Sequence, residues 1–395
     1  MRYLPREMSK EIKRAATEYP VITLTGPRQS GKTTLIQLCF PNKPYLNLEA
    51  PDLRLMAQKD PRQLLNQYPD GVIFDEVQQV PELLSYIQVK VDETPEVKGK
   101  FVLTGSHQFS LNAAITQSLA GRTALLHLLP FSLSELAQDH PPLELHQQIF
   151  QGFYPRIYQD HLDPTRTYRQ YLETYLERDV RQLIQLKDLK TFQHFLKLCA
   201  GRIGQLLNQN NLATELGVSS HTIKHWLSIL EASYVIFRLN PYASNISKRL
   251  VKMPKLYFTD TGLASYLLDI ENPNQLMRDP LRGQLFENMV VIEFVKHRLN
   301  QGLDPKLYFY RDSKGNEVDL IFKSGHQLTP IEIKISQTFH PDFFKGLHYF
   351  HKLFPTEARA GALLYGGELE QQIDEFSVLN YKNGLRVLEE QEKGA

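Results

Sequence analysis

The residues Gly26, Pro27, Arg28, Gln29, Ser30, Gly31, Lys32, Thr33 and Thr34 repeat the spacing G-x-x-x-x-G-K-[ST]. Glycines at 26 and 31 let the backbone turn tightly, so that successive amides point inward at an anion. A helix starting at Lys32 would add its positive N-terminal end. Lys32 then reaches the β- and γ-phosphates of ATP, and the Thr33 hydroxyl ligates Mg²⁺. Arg28 is expected to face solvent. A chance glycine-rich turn would not lie between a β-branched strand, Val21 to Thr25, and an apolar helix, TTLIQLCF.

A second acidic group fits the first. The run VIFDE ends in Asp75 and Glu76 at the tip of an apolar strand. There Asp75 would hold Mg²⁺ through water, and Glu76 would polarise an attacking water. Two acids at a strand end could also be plain surface polarity. A further strand ends in LTGS, so Thr104 or Ser106 could contact the γ-phosphate or that water. Arg122, in LAGRTALL, could bring positive charge to the transition state, on its own nucleotide or on a neighbour's in a homo-oligomer. A surface arginine explains it nearly as well.

The third group lies near the C-terminus. FENMVVIEFVKHRL reads as a helix carrying Glu287. FYRDSKGNEVDLIF reads as two strands about a Lys-Gly-Asn turn, with Asp319 on the second and Glu317 in the turn. PIEIKIS is a strand whose Glu332 and Lys334 share a face at i, i+2. Carboxylates of Glu287, Asp319 and Glu332 around Mg²⁺, with Lys334 orienting water, could hydrolyse a phosphodiester. The same E-x-K pattern is common on solvent faces.

The elements that must position these residues alternate in type. Short apolar strands separated by helical patterns over the first third predict a parallel sheet covered on both faces, an α/β fold. The expected domains are residues 1–145 for the phosphate-binding module and 146–190 for a helical connector, with one long helix over 165–190. Residues 191–250 and 251–395 make up the rest. In the middle unit, Asn210 or Asn211 can cap a short helix, Gly217 suits a turn, and Ser219 or Ser220 can cap a second helix burying Ile223, Trp226, Leu227 and Leu230. YVIFRL could begin a wing, which makes a winged helix-turn-helix. From Arg181 to Lys255 there are eleven Lys and Arg against three Asp and Glu. With His221, Lys224 and His225 on an exposed helix face and KRLVK nearby, DNA is the expected partner. An internal lid or docking surface is the competing reading.

Composition sets outer limits. The 395 residues carry a formal charge of +1 with 42% hydrophobic residues, so the whole molecule is not a generic polyanion binder. Cys39 and Cys199, far apart and among apolar neighbours, read as reduced thiols. No apolar run is long enough for a membrane span and the charged N-terminus lacks a signal-peptide pattern, so a cytoplasmic location is expected. The tail EEQEKGA reads as disordered.

GPRQSGKTT, VIFDE, LTGS, SLAGR, YLERDV, KRLVKMPKLYFTDTGL, GNEVDLIF and IEIK occur in this order along most of the chain. Together they resemble the bacterial and archaeal AAA-type ATPases with a C-terminal domain of unknown function, itself similar to the PD-(D/E)XK nuclease superfamily. The resemblance implies that Lys32, Thr33, Asp75 and Glu76 serve ATP, and that Asp319, Glu332 and Lys334 match a nuclease core. Three readings follow: an ATP-controlled, metal-dependent nuclease; a nucleotide-driven switch with an inert nuclease-like scaffold; and a chaperone-like ATPase acting on proteins.

Overall fold

The computed structural model describes residues 3–106, 115, 117–176, 189–242 and 251–393. Five strands form a parallel sheet in the order β2–β3–β4–β1–β5: β1 Val21–Thr25, β2 Tyr45–Asn47, β3 Val72–Asp75, β4 Phe101–Gly105 and β5 Thr123–His127. Every residue of β1, β3 and β4 is buried, because helices cover both faces. Alternate side chains divide between them. Ile22, Leu24, Ile73 and Val102 pack with α1 (Ser9–Glu18) and α2 (Lys32–Cys39). Val21, Val72, Phe74, Phe101 and Leu103 pack with α3 (Leu83–Glu93). Parallel strands bring their C-terminal ends to one edge, so Gly26, Asp75 and Thr104 become neighbours.

The expected long helix over 165–190 changes winding early. It is α-helical from Pro164 to Tyr171, then π-helical from Leu172 to Leu176. Residues 177–188, including most of YLERDV, lie outside the described residues. Beyond them stand α4 (Leu189–Ala200), α5 (Gln209–Leu216) and α6 (Ser220–Ala232). Asn208, not Asn210 or Asn211, caps α5: its Oδ1 accepts from both of their amides at 3.1 Å. Gly217 takes φ 66° at the turn, and Ser219 Oγ accepts from the Thr222 amide at 3.0 Å. Trp226 is core, against Phe192 and Phe195.

β6 (Ile236–Leu239) pairs antiparallel with β7 (Lys255–Phe258). A boundary at 250/251 therefore cuts a two-stranded sheet, and β7 with the following α7 (Thr261–Leu267) belongs to the middle unit's core. The basic run KRLVK lies mostly outside the described residues.

The last third opens with α8 (Arg282–Asn300), buried along most of its length. Behind it lies a six-stranded mixed sheet in the order β12–β13–β11–β10–β9–β8. Its strands are β8 Leu307–Arg311, β9 Glu317–Ser324, β10 Gln327–Lys334, β11 Ala362–Tyr365, β12 Gln371–Ile373 and β13 Phe376–Asn380. Helix α9 (Lys345–Leu353) covers it. α8 also reaches the first domain: Glu293 Oε2 accepts from the Leu133 amide at 2.7 Å, and Lys296 Nζ donates to the Phe131 carbonyl at 2.7 Å. The tail departs from expectation, because Val387 and Leu388 bury themselves and anchor a helix from Arg386 to Lys393. Among the described residues no helix is long and apolar enough to cross a membrane.

Candidate active site

The loop leaving β1 forces its own conformation. Gly26 sits so close to Leu128 that a Cβ would lie 2.1 Å from that carbonyl oxygen, and Gly31 has φ 90°. Gln29, at φ 62°, joins it in turning amides inward. Lys32 is 6% exposed, and its Nζ donates to the carbonyls of Gly26 at 3.0 Å and Pro27 at 2.8 Å. Burial pulls its pKa down to about 8, against the opposing pull of Glu76 and Asp75. Arg28 does not simply face solvent: it is half-buried, with Nη1 3.9 Å from Glu49.

Asp75 is the hub. Its Oδ2 accepts from Thr33 Oγ1 at 2.8 Å and from Tyr45 Oη at 2.6 Å. Its Oδ1 accepts from Thr104 Oγ1 and, at 3.1 Å, from the Glu76 amide. Glu76 itself holds φ 55°, a left-handed conformation that costs a non-glycine residue about 1 kcal/mol or more. Ser106 Oγ donates to Glu76 Oε2 at 3.1 Å, and Gln78 Nε2 donates to the same oxygen. So Thr104 serves Asp75, while Ser106 serves Glu76.

These residues fit a magnesium–nucleotide complex. Ser30 Oγ is buried and has no hydrogen-bond partner, which leaves a donor for a phosphate oxygen. Thr33 and Asp75 set a hydroxyl and a carboxylate side by side, the oxygen donors that Mg²⁺ requires.

Arg122 falls elsewhere. It precedes β5, and its carbonyl accepts from the Val21 amide at 3.2 Å, at the N-terminal end of β1. The phosphate loop leaves the other end, roughly 16 Å away at the rise of a strand. The guanidinium instead pairs with Asp92 through two bonds of 2.6 and 2.8 Å. Arg122 therefore lies at the end of the sheet away from the chain's own phosphate loop.

Several contacts had no motif to announce them. Arg6 braces the loop from behind, donating to the Ser30 and Leu129 carbonyls at 2.7 Å each and to Glu135 at 3.0 Å. Tyr45, at the start of β2, and Gln78, in a 3-10 turn after β3, are ordinary polar residues until the sheet assembles. At the foot of the loop, Thr25 Oγ1, His127 Nδ1 and Tyr234 Oη form a closed triangle with sides of 2.6, 2.7 and 2.7 Å. Tyr234 arrives from the middle unit with φ 55°. Burial depresses the His127 pKa to about 4, with Asp304 a weaker opposing charge.

The C-terminal carboxylates gather, but around lysines. Lys334 Nζ bridges Glu332 Oε1 at 2.6 Å and Asp319 Oδ2 at 3.0 Å. Glu287 Oε1 faces Lys255 Nζ at 3.0 Å and Tyr257 Oη at 2.6 Å. Glu317 begins β9 rather than sitting in the turn, and it pairs with Lys255 at 2.6 Å and Arg311 at 3.0 Å. The Asp312 side chain holds the turn, accepting from the amides of Lys314 and Asn316. Burial pushes the Glu332 carboxyl up to about 8, with Asp319 adding to the effect. Burial and neighbouring Asp319 also raise Glu287, though Lys255 offsets them. Lys255 and Lys334 are paired with the expected metal ligands Glu287, Asp319 and Glu332. Among the described residues no group of three or more His, Cys, Asp and Glu is arranged to hold a metal ion.

The parallel sheet, the glycine loop and the Asp75–Glu76 pair define an AAA-type P-loop ATPase domain, and residues 18–137 match the family model described as an AAA domain. Residues 143–274 and 282–383 match two domains of unknown function, DUF8612 and DUF4143. Uncharacterised proteins of Mycobacterium tuberculosis and Mycobacterium bovis are each 30% identical to this chain, over 92% of its length and 80% of theirs. The chain belongs to the same family as these mycobacterial proteins. A Walker-type ATPase of Pyrococcus abyssi is similar in structure, with a TM-score of 0.42 and 16% identity over 66% of this chain and 94% of that one.

Proposed function

We propose that this protein is an ATP-hydrolysing switch acting on DNA, with its C-terminal domain as scaffold rather than nuclease. The observation that carries this is the contact of Tyr234 with Thr25, the residue immediately before the phosphate loop. Through it the helical unit that follows α4 is tied to the strand that presents Gly26.

In this reading Lys32 turns from the loop carbonyls to the β- and γ-phosphates. Thr33 and Asp75 would hold Mg²⁺, whose charge would offset that of the phosphates. Glu76, steadied by Ser106 and Gln78, orients the attacking water. A change at Gly26 and Thr25 is felt by Tyr234 and passed to α6 and β6, which flank it.

Support for DNA comes from the exposed face of α6, where His221, Lys224 and His225 stand together. The wider basic surplus shrinks on folding. Lys197 pairs with Asp269, Arg202 with Glu215 and Arg238 with Glu231, while Lys255 is buried. The phosphate-facing surface is therefore narrower than the charge count suggests. The scaffold role rests on Lys255, seated among Glu287, Glu317 and Asp319.

The deciding experiment measures ATP turnover with and without DNA, on the wild type and on Lys32→Ala. DNA should raise wild-type turnover, leave DNA strands uncut in Mg²⁺, and do nothing for Lys32→Ala. Turnover indifferent to DNA, with no DNA binding at low salt, would favour action on proteins instead. Strand scission lost in Asp319→Ala would restore the nuclease reading.

A further inference from the structure

The C-terminal sheet presents four acidic side chains at one end, which is the composition of a divalent-metal site. Glu287 comes from α8, Glu317 and Asp319 from β9, and Glu332 from β10. The cation in their midst belongs to the chain itself and comes from another domain.

Lys255 lies on β7 of the middle unit and is 1% exposed. Its Nζ is 2.6 Å from Glu317 Oε1, 3.0 Å from Glu287 Oε1 and 3.9 Å from Asp319 Oδ1. One face of the ammonium looks onto the Phe309 ring, with Nζ 5.5 Å from the centroid. Two of these carboxylates are also held on the oxygen turned away from Lys255: Arg311 pairs with Glu317 Oε2, and Lys334 with the Ile333 amide donates to Asp319 Oδ2, while Tyr257 donates to the same Glu287 Oε1 that Lys255 faces.

We propose that the Lys255 ammonium is the resident cation of this carboxylate cluster, standing where a divalent metal would have to bind and locking the middle unit onto the C-terminal sheet. A buried lysine is stable only when its charge is matched, and three carboxylates within 4 Å match it. Burial works against the ammonium. The Tyr257 phenol and the carboxylates of Glu287, Asp319 and Glu317 outweigh it and hold the pKa well above the ordinary lysine value. Charge closes without a metal: Lys255, Lys334 and Arg311 balance Glu287, Glu317 and Asp319. The remaining acid, Glu332, holds Lys334 with Oε1 at 2.6 Å and keeps a buried Oε2 without a partner. Entry of a divalent ion would require the ammonium to leave, against both its carboxylates and the β6–β7 pairing that holds its backbone.

The test is Mn²⁺ titration followed by electron paramagnetic resonance, on full-length protein carrying Asp75→Asn so that the nucleotide site does not contribute. With Lys255 in place, the protein should leave the free Mn²⁺ signal unchanged at millimolar metal. Adding Lys255→Ala should create one bound Mn²⁺ per chain, half-saturated at least about tenfold below the millimolar metal that leaves the Lys255 protein unbound. A further Asp319→Asn change should abolish it. Lys255→Met keeps the apolar stem and serves if the alanine variant does not fold by circular dichroism. Mn²⁺ bound in the presence of Lys255 and lost with Asp319→Asn would overturn the proposal. Folded Lys255 variants that bind no Mn²⁺ would do the same. If neither variant folds, the protein with Lys255 in place decides alone.

Discussion

Tyr234 Oη lies 2.6 Å from Thr25 Oγ1, although the two residues are 209 positions apart in the chain. The contact joins the middle unit to the strand that feeds the phosphate loop. Removing one hydroxyl from such a pair costs about 1 kcal/mol, too little to unfold the domain. Tyr234→Phe should therefore keep ATP turnover in the absence of DNA within about threefold of wild type, while losing most of the stimulation by DNA. Turnover assays with and without DNA check this, and full stimulation in the variant would remove the contact from the switch.

His127 shares that triangle and makes it sensitive to acid. Its pKa falls from the ordinary 6.5 to about 4 on burial. Between these values the unfolded chain takes up a proton that the folded chain refuses. The stability is thus fully present above pH 6.5 and is lost as pH falls toward 4. The loss is on the order of 3 kcal/mol for one such group. His127→Asn does not titrate, so its Tm deficit relative to wild type should shrink between pH 7 and pH 4.5. A constant deficit across that range would exclude His127 as the source.

Tyr45 and Thr33 share one oxygen of Asp75. A donor on that oxygen competes with any ligand the carboxylate must serve. Tyr45→Phe removes the competitor, and the Mg²⁺ concentration for half-maximal ATP turnover should fall by roughly two- to tenfold, the worth of one hydrogen bond. A magnesium titration at saturating ATP measures this. A higher magnesium requirement would mean that Tyr45 holds Asp75 in its working position.

Lys32→Ala should lower ATP turnover by about a hundredfold or more, since Lys32 is the buried charge whose Nζ already sits among the loop carbonyls. Circular dichroism should show the fold intact. Retained turnover in the purified variant would place hydrolysis elsewhere in the chain or in a contaminant.

Arg122→Ala should leave turnover unchanged and shift Tm little, because an exposed ion pair such as that with Asp92 is screened by water. A collapse in turnover that depends on protein concentration would instead reveal a role at a neighbouring subunit's site.

The sequence carried the nucleotide site well because that chemistry is local. Six loop residues and one helix start fix where the amides point, and an apolar strand ending in Asp75 arrives at the same sheet edge. What it hid was every partner supplied by a distant segment. Tyr45, Arg6 and Tyr234 have no spacing signature, since their roles exist only after strand order is set. Arg122 misled for the opposite reason: a motif-like neighbourhood gave no hint of which end of β5 it occupies. In the C-terminal part the acidic residues were legible from strand periodicity. The lysine among them was not, because Lys255 reads as one more positive charge in a basic stretch. Counting charges along the chain cannot tell an ammonium buried against carboxylates from one facing water.

Helix α8 begins the final third of the chain yet completes the first, because Phe131 and Leu133 find their partners on Lys296 and Glu293. Cutting the protein after residue 281 would orphan those main-chain groups and expose the oily flank they protect. The three matched segments are thus not beads that recombination could restring. Any descendant that keeps the engine must inherit the far end of the chain along with it.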